Sequence, residues 1–173
     1  ASYMVPLAIG TQTNGSVLRP ASYCGVFGFK PTHGLIPRTG ILKQSPPLDT
    51  VGTFARSIED IALFTEALIA FDSKDAATRA RARPSLAQTA GEEPPMNPII
   101  AFAKTAVWDH ADKETQEAFA ELAEILGDDC ADLPLSEPFD HAIEMHRNIM
   151  FADLAKSFAG YYERGKAQLT ATL

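Results

Sequence analysis

The segment Gly10-Thr11-Gln12-Thr13-Asn14-Gly15-Ser16 follows directly on the apolar run Met4-Val5-Pro6-Leu7-Ala8-Ile9. An apolar run of that length ending at a glycine reads as a strand, so Ser16 falls just past a strand end. Two readings of the turn compete. Asn-Gly is the commonest hairpin signal, which would leave Ser16 as a turn residue between two strands. Alternatively, the loop presents Ser16 as a nucleophile. Acyl transfer by a serine needs a base within hydrogen-bond reach and donors aimed at the developing oxyanion. Small, permissive residues let successive backbone N–H groups turn toward one point, so the segment supplies donors but no base.

Beyond the loop, Arg19-Pro20-Ala21-Ser22-Tyr23-Cys24-Gly25 leads into Val26-Phe27-Gly28-Phe29-Lys30-Pro31-Thr32. The second stretch alternates bulky and small residues as a buried strand closed by proline does, and it is expected beside the strand ending at Gly10. Cys24 reads as a buried structural cysteine among apolar neighbours. His33 reads as a loop histidine, since no acidic partner stands at a recognisable spacing. Residues 35–53 are rich in Pro, Gly and Ser and read as a long loop. Ser57-Ile58-Glu59-Asp60 is a capping box, and the helix it opens is expected to run to about Phe71.

Taken together, these motifs resemble the amidase signature family, whose consensus G-[ST]-[DQ]-[TI]-G-G-S ends on the nucleophilic serine. The resemblance is strong from about Val5 to Asp72 and loose beyond, and it implies an α/β fold: part of a mixed β-sheet flanked by helices, incomplete in this chain. It implies that Ser16 is the catalytic nucleophile and that the backbone N–H groups of Thr13, Asn14, Gly15 and Ser16 form the oxyanion hole. It also implies a lysine base and a second serine in a cis peptide, both upstream. Neither has a counterpart before Ala1, so these 173 residues alone are expected to have negligible amidase activity. The function implied is hydrolysis of a carboxamide C–N bond through an acyl-serine. The alternatives are a glutamine-hydrolysing amidotransferase subunit, which needs a partner subunit, and a non-catalytic interaction fragment.

Two positions depart from the pattern. Asn14 stands for the first glycine of Gly-Gly-Ser, and asparagine tolerates positive φ better than most residues. Arg19 lies three residues after Ser16, where many members have arginine two after it; there it is expected to be a structural ion-pair partner. Gln12 and the late Arg19 favour the stand-alone amidases. Asp49 and Arg56 match signature positions and are expected to pin the loop by structural pairing.

The second half is read from periodicity. Residues 73–97 read as an exposed linker between a signature core at 1–72 and a segment at 98–173, all within one partial domain. Within the linker Arg79, Arg81 and Arg83 form a cluster, read as a solvated segment in preference to a phosphate-binding patch. A strand at 98–103, an amphipathic helix from Asp112 or Lys113 stopped at Gly127, and a strand at 130–135 predict a parallel βαβ unit. A further helix is expected from about Pro138 to Gly160. His141 and Glu144 could meet on it, yet with no third ligand no metal is assigned, and no cofactor is expected.

Charge and cysteine usage bound the partners. A net charge of −7 argues against a nucleic-acid or anionic-membrane surface and leaves small neutral or cationic ligands open; the resemblance implies a small-molecule amide as substrate. Cys24 and Cys130 lack disulfide-framework or metal spacing, so a reducing, cytoplasmic setting is expected. An unpaired strand edge would make self-association into a homo-oligomer an expected hazard.

Overall fold

The computed structural model describes residues 2–170, which divide into two compact units: 2–92 with 149–170, and 93–148. In the first unit, a three-stranded antiparallel sheet has the order β1 (Ala8–Gln12), β3 (Thr50–Ala55), β2 (Phe27–Phe29). Both β1 and β2 run antiparallel to β3, with Gly10 opposite Gly52 and Gly28 opposite Phe54. β1 and β2 are therefore parallel to each other, and the helix between them, α1 (Leu18–Cys24), crosses over a gap one strand wide. β3 fills that gap, so the segment around Phe27 is not the neighbour of β1 that its sequence suggested.

α1 fits because the sheet beneath it is bare. A Cβ on Gly28 would lie 2.5 Å from the Ala21 Cβ, and one on Gly52 would lie 2.9 Å from both Val17 methyls and 2.7 Å from the Phe29 carbonyl oxygen. Val17, fully buried, and Ala21 thus sit where side chains would otherwise stand. Pro20 falls in the first turn of α1, where its missing N–H has no helical partner to lose. No second hairpin strand follows the Asn14-Gly15 turn; a helix does.

The opposite face of β3 packs on α2 (Ile58–Leu68), through Ile61, Ala62 and a buried pair of hydroxyls, Thr53 Oγ1 and Thr65 Oγ1, 2.7 Å apart. Covered on both sides, β3 is buried nearly throughout. α2 begins as its capping box predicts, the Ser57 hydroxyl accepting from the Asp60 amide at 3.1 Å, but it ends at Leu68 rather than Phe71. Ile36, Val51 and Ile69 form the buried cluster at the sheet's end, with Leu86 of α3 (Leu86–Gly91) packed against it. The run after Asp72 is exposed at Arg79, Arg81 and Arg83, yet Asp75 and Thr78 within it are buried.

The second unit is the expected βαβ: β4 (Ile100–Phe102) pairs in parallel with β5 (Cys130–Asp132) across α4 (Lys113–Leu126). Asp112 caps α4 by accepting from the Thr115 amide at 2.7 Å, and the helix stops at Gly127. Phe102, Trp108 and Phe119 make its aromatic cluster, with ring centroids 5.4 to 6.0 Å apart. α5 (Ala142–Gly165) follows, longer at its C-terminal end than periodicity suggested.

Candidate active site

The loop from Thr13 to Ser16 hangs between the end of β1 and the start of α1, and three contacts hold it. The Gln12 side chain reaches across its base: Oε1 accepts from the Val17 amide at 2.9 Å and from the Leu18 amide at 3.0 Å. Those are among the first amides of α1, which lack intrahelical acceptors, so Gln12 does the work of a helix cap from five residues upstream. The Gly15 carbonyl oxygen accepts from the Arg19 amide at 2.9 Å, and the Thr13 hydroxyl donates to Asp49 Oδ1 at 2.7 Å.

With its ends tied, the loop leaves its middle open. The Ser16 side chain is exposed, and its hydroxyl makes no hydrogen bond among the described residues. The amides of Asn14, Gly15 and Ser16 likewise find no acceptor among the described residues. The positive φ of the turn, 123°, belongs to Gly15 and not to Asn14. Beside the loop lies a small cavity of about 20 Å³, whose lining includes Thr11, Thr13, Arg38, Lys43, Gln44 and Asp49; Ser16 does not line it. The Lys30 ammonium donates to the neighbouring Pro31 carbonyl at 3.1 Å and takes no part.

Asp49 fixes the loop as expected, though not through Arg56. Besides Thr13, its carboxylate accepts from the Gln44 amide at 2.8 Å and the Ser45 amide at 3.0 Å. Arg56 instead donates to the Val5 carbonyl at 3.2 Å and lies 4.7 Å over the Tyr3 ring. Arg19, expected to form an ion pair, forms none among the described residues. Cys24 is exposed in the last turn of α1 rather than buried, because Val17 and Ala21 take the inward face. His33 is a loop residue within 3.1 Å of the Pro46 carbonyl.

The residue that sequence reading misses is Arg38. Buried with Asp75, it donates from Nε at 3.0 Å and Nη2 at 2.9 Å to the two oxygens of that carboxylate, and its own amide donates to Oδ2 at 2.8 Å. Its Nη1 donates to the Pro46 carbonyl at 2.5 Å and the Asp49 carbonyl at 2.9 Å. Asp75 is held well below the usual carboxylate range, chiefly by the Arg38 side-chain hydrogen bonds. Arg38 thus grips the main chain of Asp49 while the carboxylate of Asp49 grips Thr13. No short-range pattern marks such a pair, because its members are separated by 37 residues.

Known proteins share this architecture. A family model described as Amidase matches residues 1–170, and the chain belongs to the amidase family. A glutamyl-tRNA(Gln) amidotransferase subunit from Clostridium botulinum (strain Eklund 17B / Type B) is 34% identical over 166 residues, covering 93% of this chain and 33% of the relative. Its counterpart in Mycoplasma pneumoniae is 51% identical over 72 residues, 42% of this chain and 15% of the relative. Among solved structures, a 6-aminohexanoate cyclic dimer hydrolase superposes with a TM-score of 0.74 at 28% identity, over 96% of this chain and 36% of that one. The chain therefore spans about a third of the length of the relatives it matches over nearly its whole extent. The mixed α/β architecture expected from the sequence is the one these relatives have.

Proposed function

We propose that this chain carries the nucleophile of a serine amidase that cleaves a carboxamide C–N bond through an acyl-Ser16 intermediate. The observation that carries the reading is the loop itself: an exposed, unengaged hydroxyl beside the unengaged amides of Asn14, Gly15 and Ser16. Donors left without a protein acceptor are what an oxyanion hole requires before substrate arrives. Membership of the amidase family supports the assignment, as does the likeness to a solved 6-aminohexanoate cyclic dimer hydrolase.

In the proposed reaction, Ser16 Oγ bonds to the amide carbonyl carbon while its proton passes to a base. The carbonyl oxygen becomes an oxyanion that the loop amides, with Thr13, stabilise. Collapse breaks the C–N bond, the amine leaves with the proton, and water then splits the ester to free the acid and Ser16. We assign the base to a lysine acting through a second serine, as the family resemblance implies, in protein outside these residues. We further propose a small-molecule amide as substrate, no cofactor, a cytoplasmic setting and self-association as a homo-oligomer. No helix among the described residues is long and apolar enough to cross a membrane.

One observation favours a second reading: relatives matching over most of the chain are amidotransferase subunits, at 34% identity. In that reading the amide is glutamine and a partner protein is needed.

The test is turnover of carboxamides by the protein as its gene encodes it. Ser16→Ala is expected to lower kcat by about 10⁴-fold or more without shifting the melting temperature, since Ser16 is exposed. A variant keeping kcat within about tenfold overturns the proposal. Ammonia release from glutamine, with no turnover of alkyl or aryl carboxamides, selects the amidotransferase.

A further inference from the structure

Arg79, Arg81 and Arg83 stand at alternate positions in a run without helix or strand pairing, and all three line one cavity of about 290 Å³. Leu35, Ile69 and Phe71 also line the cavity, and no carboxylate does.

The run is anchored at both ends. Before it, the buried Thr78 hydroxyl lies 2.8 Å from the Asp72 carbonyl and 2.9 Å from the Asp75 carbonyl, and accepts from the Asp72 amide at 3.0 Å. After it, Leu86 packs on the cluster of Ile36, Val51 and Ile69. Gly34 lets the segment approach closely, since a Cβ there would lie 2.2 Å from the Ala77 carbonyl oxygen. Among the described residues, none of the three guanidinium groups has an ion pair or hydrogen bond. Three neighbouring cations are thus held over one cavity in a chain whose net charge is −7. An anion seated among them would relieve their mutual repulsion.

We propose that this cavity binds a small phosphomonoester, its phosphate held by the arginine strap and its organic body resting on Leu35, Ile69 and Phe71. The guanidinium fork matches phosphate oxygens in paired hydrogen bonds, and a cavity of about 290 Å³ stands at the small end of ligand sites, which suits a small phosphomonoester. Single-stranded nucleic acid offers the same phosphate chemistry, but it calls for a long basic track with stacking aromatics. A concave site in an acidic chain favours the small ligand. The site is independent of the amide chemistry proposed above.

Isothermal titration at low salt, where charge contacts are least screened, tests it with phenyl phosphate, inorganic phosphate and a single-stranded RNA oligomer as probes. Phenyl phosphate is expected to bind the protein about tenfold or more tighter than inorganic phosphate. The variant R79Q/R81Q/R83Q is expected to lose at least about tenfold in phenyl phosphate affinity with its melting temperature unchanged, since exposed substitutions perturb stability little. The variant R79K/R81K/R83K, keeping charge but losing the fork, should fall between. Equal affinity for phenyl and inorganic phosphate overturns the role of the apolar lining. Undiminished binding in the glutamine variant, no binding of phenyl phosphate, or binding of RNA alone overturns the site.

Discussion

Replacing Arg38 by methionine removes the hub that holds the Ser16 loop through Asp49, and its cost can be worked from the contacts. The Asp75 carboxylate, in a residue 8% exposed, accepts from Arg38 Nε, Nη2 and N and from the Ala77 amide at 3.1 Å. Arg38→Met strips the two guanidinium bonds and leaves a buried charge without its counter-ion, which costs about 3–5 kcal/mol. At a urea dependence of about 2 kcal/mol per molar, the lower figure moves the unfolding midpoint down by about 1.5 M. The double variant R38M/D75L, which removes both charges, should recover most of the loss, because apolar replacement of a buried pair is often near neutral. The assay is urea denaturation followed by circular dichroism for wild type, both single variants and the double. A single variant costing under about 1 kcal/mol, or a double equal to the sum of the singles, refutes the reasoning.

Other expectations follow from the same packing. The folded state holds the Asp75 carboxyl below its ordinary value, so its contribution to stability is present above about pH 4 and is lost as pH falls below that; Asp75→Asn should flatten the acid limb of an unfolding-free-energy profile, and an unchanged limb contradicts the assignment. Gly52→Ala forces a Cβ against the Phe29 carbonyl and Val17 and should cost about 1–3 kcal/mol in urea denaturation; an unaltered midpoint would mean α1 does not rest on the sheet as described. Thr53→Val leaves the Thr65 hydroxyl buried without its partner, a loss of about 1–3 kcal/mol that Thr53→Val with Thr65→Val should partly restore, by thermal or urea unfolding.

Much of the second unit is legible in sequence because its signals are local. Asp112, the amphipathic face of α4 and Gly127 lie within one helix, and strand–helix–strand leaves few arrangements. Ser57 and Asp60 mark α2 for the same reason. The signature half hides its architecture behind residues chosen for long-range contact. β3 reads Thr-Val-Gly-Thr-Phe-Ala, whose glycine is there to admit Val17 and whose threonine at 53 is there to meet Thr65. Threonine is a good strand residue, but Gly52 and the Pro-, Gly- and Ser-rich stretch before it make the start of the strand read as loop, and β2 takes its place beside β1. α1 escapes notice because Pro20 reads as a breaker although it occupies a first turn, and because Gln12, which caps it, belongs to the preceding strand. The Ser16 loop can be located from sequence; its support by Arg38 through Asp49 cannot.

Assignment of Ser16 as the acyl-bearing residue is tested most directly by mass spectrometry of the protein as encoded, after reaction with a fluorophosphonate. The adduct is expected on the peptide carrying Ser16, with loss of carboxamide turnover in proportion to labelling. A protein that turns over carboxamides and is inactivated by label on another serine, with Ser16 unmodified, contradicts it.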